Sequence, residues 1–334
     1  MSLIAKQTGW LSRSKALCTM PLVDLLDGGT GEELIRRKMH DDRQIWSAGA
    51  LVRDQYHTLL VDVHHSFMKA GSKYITCNNY GVTPGVGFSE SEVVRYSMLA
   101  GKLADKARAQ FYSENAEKRD EIMICGSLPP LLESYRPDKI LSFQEGSKWY
   151  SLIGGALIPY IDIFLAETLS TTEEAKQVIS AVDKYRKPLM VSFTLNERGQ
   201  LRSEEDVVSA ITTVLEYSKN HLTLLQGFLF NCCSPEAISL ALNQIRSSKN
   251  AVRMLSEHRI RLGAYANRLT PIASDWALAE VSTPQAFRAD INIDTYRDFA
   301  RIWIEMGATI IGGCCGIDPE YIAAIRGDLL NSEA

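Results

Sequence analysis

Eight short apolar runs, each followed by a segment of helical period, constrain this 334-residue chain more tightly than any other feature. The runs are Val23–Asp27, Tyr74–Cys77, Ile122–Cys125, Asp162–Ala166, Pro188–Phe193, Gly227–Asn231, Leu262–Ala266 and Ala308–Gly312. Helix signals fill the gaps. Thr30 can cap a first helix through Leu34 and Ile35, and a second fits Leu51–Ala70 with Gly71 at its end. Ser89 to Glu92 opens a long helix toward Glu117, and another stretch covers Ile140–Leu157. Ser170 to Glu173 caps a helix ending near Tyr185, and Ser203 to Asp206 starts the next, with Val207, Val208, Ile211, Val214 and Leu215 on its apolar face. Pro235 takes the first helical position after Ser234, and the last helices fit Asp294–Glu305 and Pro319–Leu330.

A strand, a helix and another strand in succession give a parallel sheet, and eight such units close into a barrel. The expected fold is therefore α/β: a (β/α)₈ TIM barrel, one domain over residues 21–330, after an N-terminal extension at 1–20. A doubly wound sheet uses the same alternation, but neither G-x-G-x-x-G nor G-x-x-x-x-G-K-[ST] occurs here. The extension carries Lys6, Arg13 and Lys15 and no acid, without a transit peptide's long Arg-rich pattern or a secretory cleavage signal. A cytoplasmic location is expected. The net charge of -4 gives no general reason to bind nucleic acid, and no apolar run reaches the ~18–20 residues of a membrane span.

In barrels of this kind the chemistry gathers at strand C-termini. Here those positions hold Asp27 with Gly28-Gly29, then Asn78-Asn79-Tyr80, Glu167-Thr168, Asn231-Cys232-Cys233, and Gly312-Gly313-Cys314-Cys315-Gly316. Seven cysteines, four of them in two adjacent pairs, do not resemble a disulfide framework and point to metal or thiol chemistry. Zn²⁺ binds thiolates at ~2.3 Å in a tetrahedral shell. Strands six and eight lie two apart around a closed barrel, so Cys314, Cys315 and one of Cys232 or Cys233 can meet on one ion. Spacing alone does not separate the last two. Three protein ligands leave a fourth position open, as in catalytic sites. Glycines on both sides of Cys314-Cys315 give that turn conformational freedom.

Cys77 and Cys125, inside strands, read as packing, and Cys18 is given no role. Asp27 and Glu167 are placed to hold an ammonium group through charge-assisted hydrogen bonds. Trp46, Trp149, Trp276 and Trp303 read as packing residues, the alternative being that one of them, which the sequence does not single out, lines a cation-binding surface. No histidine falls at a strand end.

With these residues in view, the chain resembles the homocysteine S-methyltransferase family from about Asp24 to Ile325. Asp27-Gly28-Gly29-Thr30-Gly31 is similar to the family's opening D-G-G-x-G, and Ala166-Glu167-Thr168 to its E-T strand end. Phe230-Asn231-Cys232 is similar to its G-x-N-C element, and Gly312 to Gly316 to its closing G-G-C-C-G. The resemblance implies zinc on Cys232, Cys314 and Cys315, and a homocysteine site that includes Asp27, Gly28, Glu167 and Asn231. It implies small-molecule partners, homocysteine and a methyl donor, and methionine as product. S-methylmethionine or S-adenosylmethionine is the expected donor and betaine the alternative. A zinc- or redox-sensing barrel without catalysis is the reading from another class. Two departures mark this chain: bulk at Phe228-Leu229-Phe230 near Asn231, and Arg268 where relatives commonly have glycine. Oligomeric state is not assigned.

Overall fold

Strands that all run the same way need a crossover between each pair, and here every crossover carries helix. The computed structural model describes residues 22–118, 121–222, 224–273 and 285–332. Its strands are β1 (Asp24–Leu25), β2 (Tyr74–Thr76), β3 (Met123–Leu128), β4 (Ile163–Leu169), β5 (Pro188–Phe193), β6 (Leu224–Asn231), β7 (Arg261–Tyr265) and β8 (Ala308–Ile311). All pairings are parallel, in the order β1-β8-β7-β6-β5-β4-β3-β2. A parallel bridge between Leu26 and Tyr74 joins the two ends and closes the barrel. Around it lie α1 (Thr30–Arg36), α2 (Gly49–Val52), α3 (His57–Ala70), α4 (Glu90–Glu114), α5 (Phe143–Leu157) and α6 (Thr172–Val182). The ring continues with α7 (Val207–Ser218), α8 (Pro235–Ser247), α9 (Lys249–Glu257), α10 (Ile293–Glu305) and α11 (Pro319–Ser332). The (β/α)₈ expectation holds. The extension expected at 1–20, with Cys18, and Trp276 lie outside the described residues.

The two-residue period of a strand sorts its side chains. In β4, Ile163 and Leu165 join the barrel-interior cluster with Tyr74, Met190, Leu229 and Ile310, while Phe164 and Ala166 pack outward under the helices. Phe228 and Phe230 of β6 do the same, each fully buried and worth roughly 1.5–3 kcal/mol. The same alternation carries Thr76, Ser127, Glu167, Ser192 and Asn231 to the inside one step higher, which gives the interior a polar upper layer. At the opposite end Asp24 is buried between Lys73 (2.9 Å) and Arg261 (2.6 Å).

Caps explain most helix starts. Ser89 and Glu92 form a capping box on α4, and Thr171 and Glu174 form another on α6, one residue later than the Ser170 start expected. Ser234 caps α8 with Pro235 first, as the sequence indicates. Three elements differ from expectation. The helix expected over Leu51–Ala70 is interrupted because Arg53 is extended (φ -109°, ψ 107°), its guanidinium paired with Asp42. Residues 203–205 are not helical, and Asp206 supplies the cap of α7. Helix α9 is additional, started by its own cap at Ser248 directly after α8.

His64 of α3 is fully buried with neither ring nitrogen hydrogen-bonded, and burial holds its pKa at about 4, below the ordinary 6.5. The unfolded chain therefore takes up the proton first. His64's contribution is complete above about pH 6.5 and is lost as pH falls toward 4. Replacing His64 with Leu should shrink the stability difference between pH 7.5 and pH 5 by about 2 kcal/mol in urea titrations. An unchanged pH dependence would mean that the ring is hydrated.

Candidate functional site

The sulfur cluster begins with a backbone turn. Strand β6 ends at Asn231, and Cys232 then adopts φ 52°, a left-handed conformation uncommon outside glycine. That turn aims Cys232 into the barrel mouth, while Cys233 packs in the core beneath the helices. From β8, Cys314 and Cys315 reach the same point. The Cys232 Sγ lies 2.8 Å from Cys314 Sγ and 3.8 Å from Cys315 Sγ, and the last pair is 3.9 Å apart. Among the described residues these three form a group whose ligand atoms lie close enough together to hold a metal ion, and Cys233 is not part of it. The glycines beside them have two jobs. Gly316 has φ 79°, a conformation that strains any other residue. At Gly313 the need is close approach, since a Cβ would fall 2.2 Å from the Ile317 side chain.

Three neighbouring thiols cannot all ionise without a cation between them. Hydrogen bonds from Cys314, then from Cys315 and Tyr135, hold the Cys232 thiol well below its usual pKa. Their bonds to that sulfur push Cys314 and Cys315 up. Tyr135 donates to Cys232 at 3.1 Å and Asn267 at 3.8 Å. A tetrahedral shell with ~2.3 Å metal–sulfur bonds spaces its sulfurs about 3.8 Å apart. Two of the three separations already have that value, so the donors fit a thiophilic divalent metal once the Cys232–Cys314 pair opens by about 1 Å.

The cluster lies in a cavity of about 670 Å³ whose lining includes Asp27, Gly28, Thr76, Glu167, Cys232 and Cys314. Asp27 is buried, and Thr76 donates to both its oxygens, from the backbone N–H (2.7 Å) and the hydroxyl (2.9 Å). Burial raises its pKa to about 7. Glu167 accepts from the Ser127 hydroxyl, and burial first, then the charges of Asp27 and Cys232, raise it to about 8. Gly28 has no room for a side chain, since a Cβ would fall 2.1 Å from the Ile317 carbonyl oxygen.

Asn231 is brought close but stands behind the cavity. Its Oδ1 accepts from the Thr168 N–H (2.9 Å) and the Ser192 hydroxyl (2.7 Å), and its Nδ2 donates to Thr168 Oγ1 (2.8 Å). It thereby holds Thr168, next to Glu167, at the strained φ of 60°.

Trp303 is fully buried and Trp149 packs against the core, as expected. Trp46 instead lines the cavity, its ring edge-on to Tyr80 at 6.0 Å. Of the two departures, Phe228 points outward into the core, whereas Arg268 does line the cavity, bonded to Tyr321 (2.7 Å). No histidine is among the lining residues described. Tyr135 and Asn267 were not legible as sulfur donors. One follows the Pro129-Pro130 pair and the other lies two residues past β7, with no spacing that ties either to Cys232.

A closed parallel barrel with three convergent thiols and two buried carboxylates at its mouth places the chain among TIM barrels whose mouth can present thiols or hold a soft metal. The family profile described as homocysteine S-methyltransferase matches residues 24–329. The chain belongs to the homocysteine S-methyltransferase family. Homocysteine S-methyltransferase YbgG of Bacillus subtilis (strain 168) is 24% identical, covering 92% of this chain and 95% of the relative. A betaine-homocysteine S-methyltransferase of Drosophila melanogaster is also 24% identical, over 80% of this chain and 82% of the relative. The metallated form of the homocysteine methyltransferase MmuM from Escherichia coli shares the fold, with a TM-score of 0.73 at 23% identity, covering 92% and 96%. No helix among the described residues is long and apolar enough to cross a membrane.

The role of Asn231 as a brace is open to measurement. Asn231→Leu leaves the Thr168 amide and the Ser192 hydroxyl unpaired inside the barrel, and should lower stability by about 2–4 kcal/mol in urea unfolding. A variant within about 0.5 kcal/mol of the parent would mean that Thr168 is held by other contacts.

Proposed function

We propose that the chain is a zinc-dependent methyltransferase that moves a methyl group from S-methylmethionine or S-adenosylmethionine to homocysteine, giving methionine. The observation that carries this reading is the convergence of Cys232, Cys314 and Cys315 in one cavity with two buried carboxylates. Cys232, Cys314 and Cys315 would hold the zinc, which would favour the thiolate form of a substrate thiol near neutral pH. The working unit is the single barrel domain of residues 21–330, with residues 1–20 an extension to it. A cytoplasmic, reducing location suits free thiols in this role.

The protein's own groups do the rest. Glu167 and Asp27 hold the homocysteine ammonium. Each is costly to ionise alone in this buried setting, and an ammonium beside them offsets that cost. Gly28 lets its turn pack against the Ile317 carbonyl, which keeps its backbone at the cavity for the substrate, and Asn231 fixes the Thr168 turn that aims Glu167. The methyl group leaves a sulfonium, which becomes a neutral thioether, so no proton donor is needed on the leaving side. That agrees with a cavity whose described lining has no histidine. Trp46 and Tyr80 present aromatic surface suited to a cationic methyl group. The same surface suits betaine's trimethylammonium, which keeps betaine as the second donor.

The deciding experiment incubates the purified, reduced protein with homocysteine and each donor separately and measures methionine. Formation from S-methylmethionine or S-adenosylmethionine is expected, and formation from betaine alone would replace the donor. Glu167→Gln should weaken homocysteine binding by about 10- to 100-fold with zinc retained. Loss of zinc with normal homocysteine affinity would reverse its assigned role.

Metal content is the second check. About one zinc per chain is expected, and Cys232→Ala, Cys314→Ala and Cys315→Ala should each lose most of it along with activity. Cys233→Ala, Cys77→Ala and Cys125→Ala should keep it. If Cys233→Ala strips the metal and Cys232→Ala does not, the ligand has been assigned one residue off.

A further inference from the structure

One wall of the cavity has no part in the reading above. It is built from the first turn of α1 and the segment leading into the short turn Trp46–Ala48, and it contributes Glu32, Asp41, Arg43 and Ser47 to the lining. The two pieces are packed together: a Cβ on Gly31 would meet the Trp46 ring at 2.5 Å. Four polar atoms here are buried without a hydrogen-bond partner in the protein, namely Glu32 Oε2, Asp41 Oδ1, Arg43 Nε and Ser47 Oγ. Ser47 is only 1% exposed, so its hydroxyl has little recourse to bulk solvent. Arg43 and Asp41 meet only loosely, at 3.5 Å, and Glu32 feels the charges of both. By contrast, Arg36 at the same cavity is committed to Glu33 by two hydrogen bonds of 2.6 and 2.8 Å.

Buried polar atoms left unpaired are costly, and each of these four belongs to a side chain that also lines the cavity, so a rotation toward it would let a ligand's own polar groups satisfy them. Their chemistry specifies that ligand. Two carboxylates accept from a cation, while a guanidinium and a hydroxyl donate to an anion. A group carrying a cation and an anion on one carbon is the α-ammonium carboxylate of an amino acid.

We propose that this wall binds the α-amino-acid head of the methyl donor, its ammonium at Glu32 and Asp41 and its carboxylate at Arg43 and Ser47. The inference rests on the methyl-transfer reading and deepens it. It selects sulfonium donors that carry an α-ammonium over betaine, which has a carboxylate but no second cation. Homocysteine's ammonium is assigned to Asp27 and Glu167, so the two ammonium groups meet different carboxylates.

The test compares S-methylmethionine with 4-(dimethylsulfonio)butanoate, the same sulfonium without its amine, by titration calorimetry and by methionine formation with homocysteine. The parent protein should bind the amine-free analogue about 10- to 100-fold more weakly. E32Q and D41N should each weaken S-methylmethionine by a similar factor, shift the analogue by less than about 2-fold, and leave homocysteine affinity unchanged. Equal affinity of the parent for both donors overturns the proposal without any variant, so it does not depend on how the variants fold. So does an equal loss for both donors in E32Q, or a loss of homocysteine affinity instead. If no donor yields methionine but calorimetry shows the amine preference and E32Q abolishes it, the methyl-transfer reading falls and the amino-acid site stands.

Discussion

Beyond the exposed start of β6 the strands of this barrel are buried on both faces, so an inward side chain must either be apolar or have its polar atoms held. That condition decides where the chemistry can be. Interior positions are filled by Leu165, Met190, Leu229 and their neighbours, and the two-residue period then delivers Thr76, Ser127, Glu167, Ser192 and Asn231 together at the mouth. None of these stands alone. Ser127 holds Glu167, Thr76 holds Asp27, and Ser192 and Thr168 share Asn231. The cavity therefore opens above a floor of groups fixed by hydrogen bonds, and the sulfurs of Cys232, Cys314 and Cys315 are set against a rigid base.

Much of this was legible because the relevant signals are local or periodic. The alternation of apolar runs with helical segments gave the barrel, and Ser89, Ser234 and Pro235 gave helix starts by caps that act within four residues. Glu167 and Asp27 could be found because strand ends mark the mouth. What stayed hidden depends on long-range geometry. Arg53 breaks a helix by pairing with Asp42, eleven residues earlier. Tyr135 reaches Cys232 across 97 positions, and Trp46 lines the cavity because Gly31 lets its ring pack against α1. Asn231 was expected to bind substrate, but its side chain stands behind the cavity, and its three hydrogen bonds tie it to Thr168 and Ser192. The glycines around Cys314-Cys315 were read as conformational freedom. Gly316 needs that freedom, whereas Gly313 is there because Ile317 leaves no space for a side chain.

Charge ties the parts of the site together. Asp27, Glu32 and Glu167 are all pushed up to about 7 or 8 by burial, and the Cys232 sulfur adds to the negative potential felt by Glu32 and Glu167. A cavity so composed resists ionising and becomes comfortable only when cations enter it. The proposed ligands supply them: a divalent metal at the sulfurs, and an ammonium on each amino acid. Methyl transfer adds a constraint of its own. The sulfonium charge disappears as the methyl group moves, so an anion pressed against it would favour the starting state over the transition state. Carboxylates directed at the donor's ammonium avoid this, because that charge is the same before and after transfer. The binding energy then orients the donor. The reacting methyl is left to aromatic surfaces such as Trp46 and Tyr80, whose hold on a cation is weaker and easier to lose.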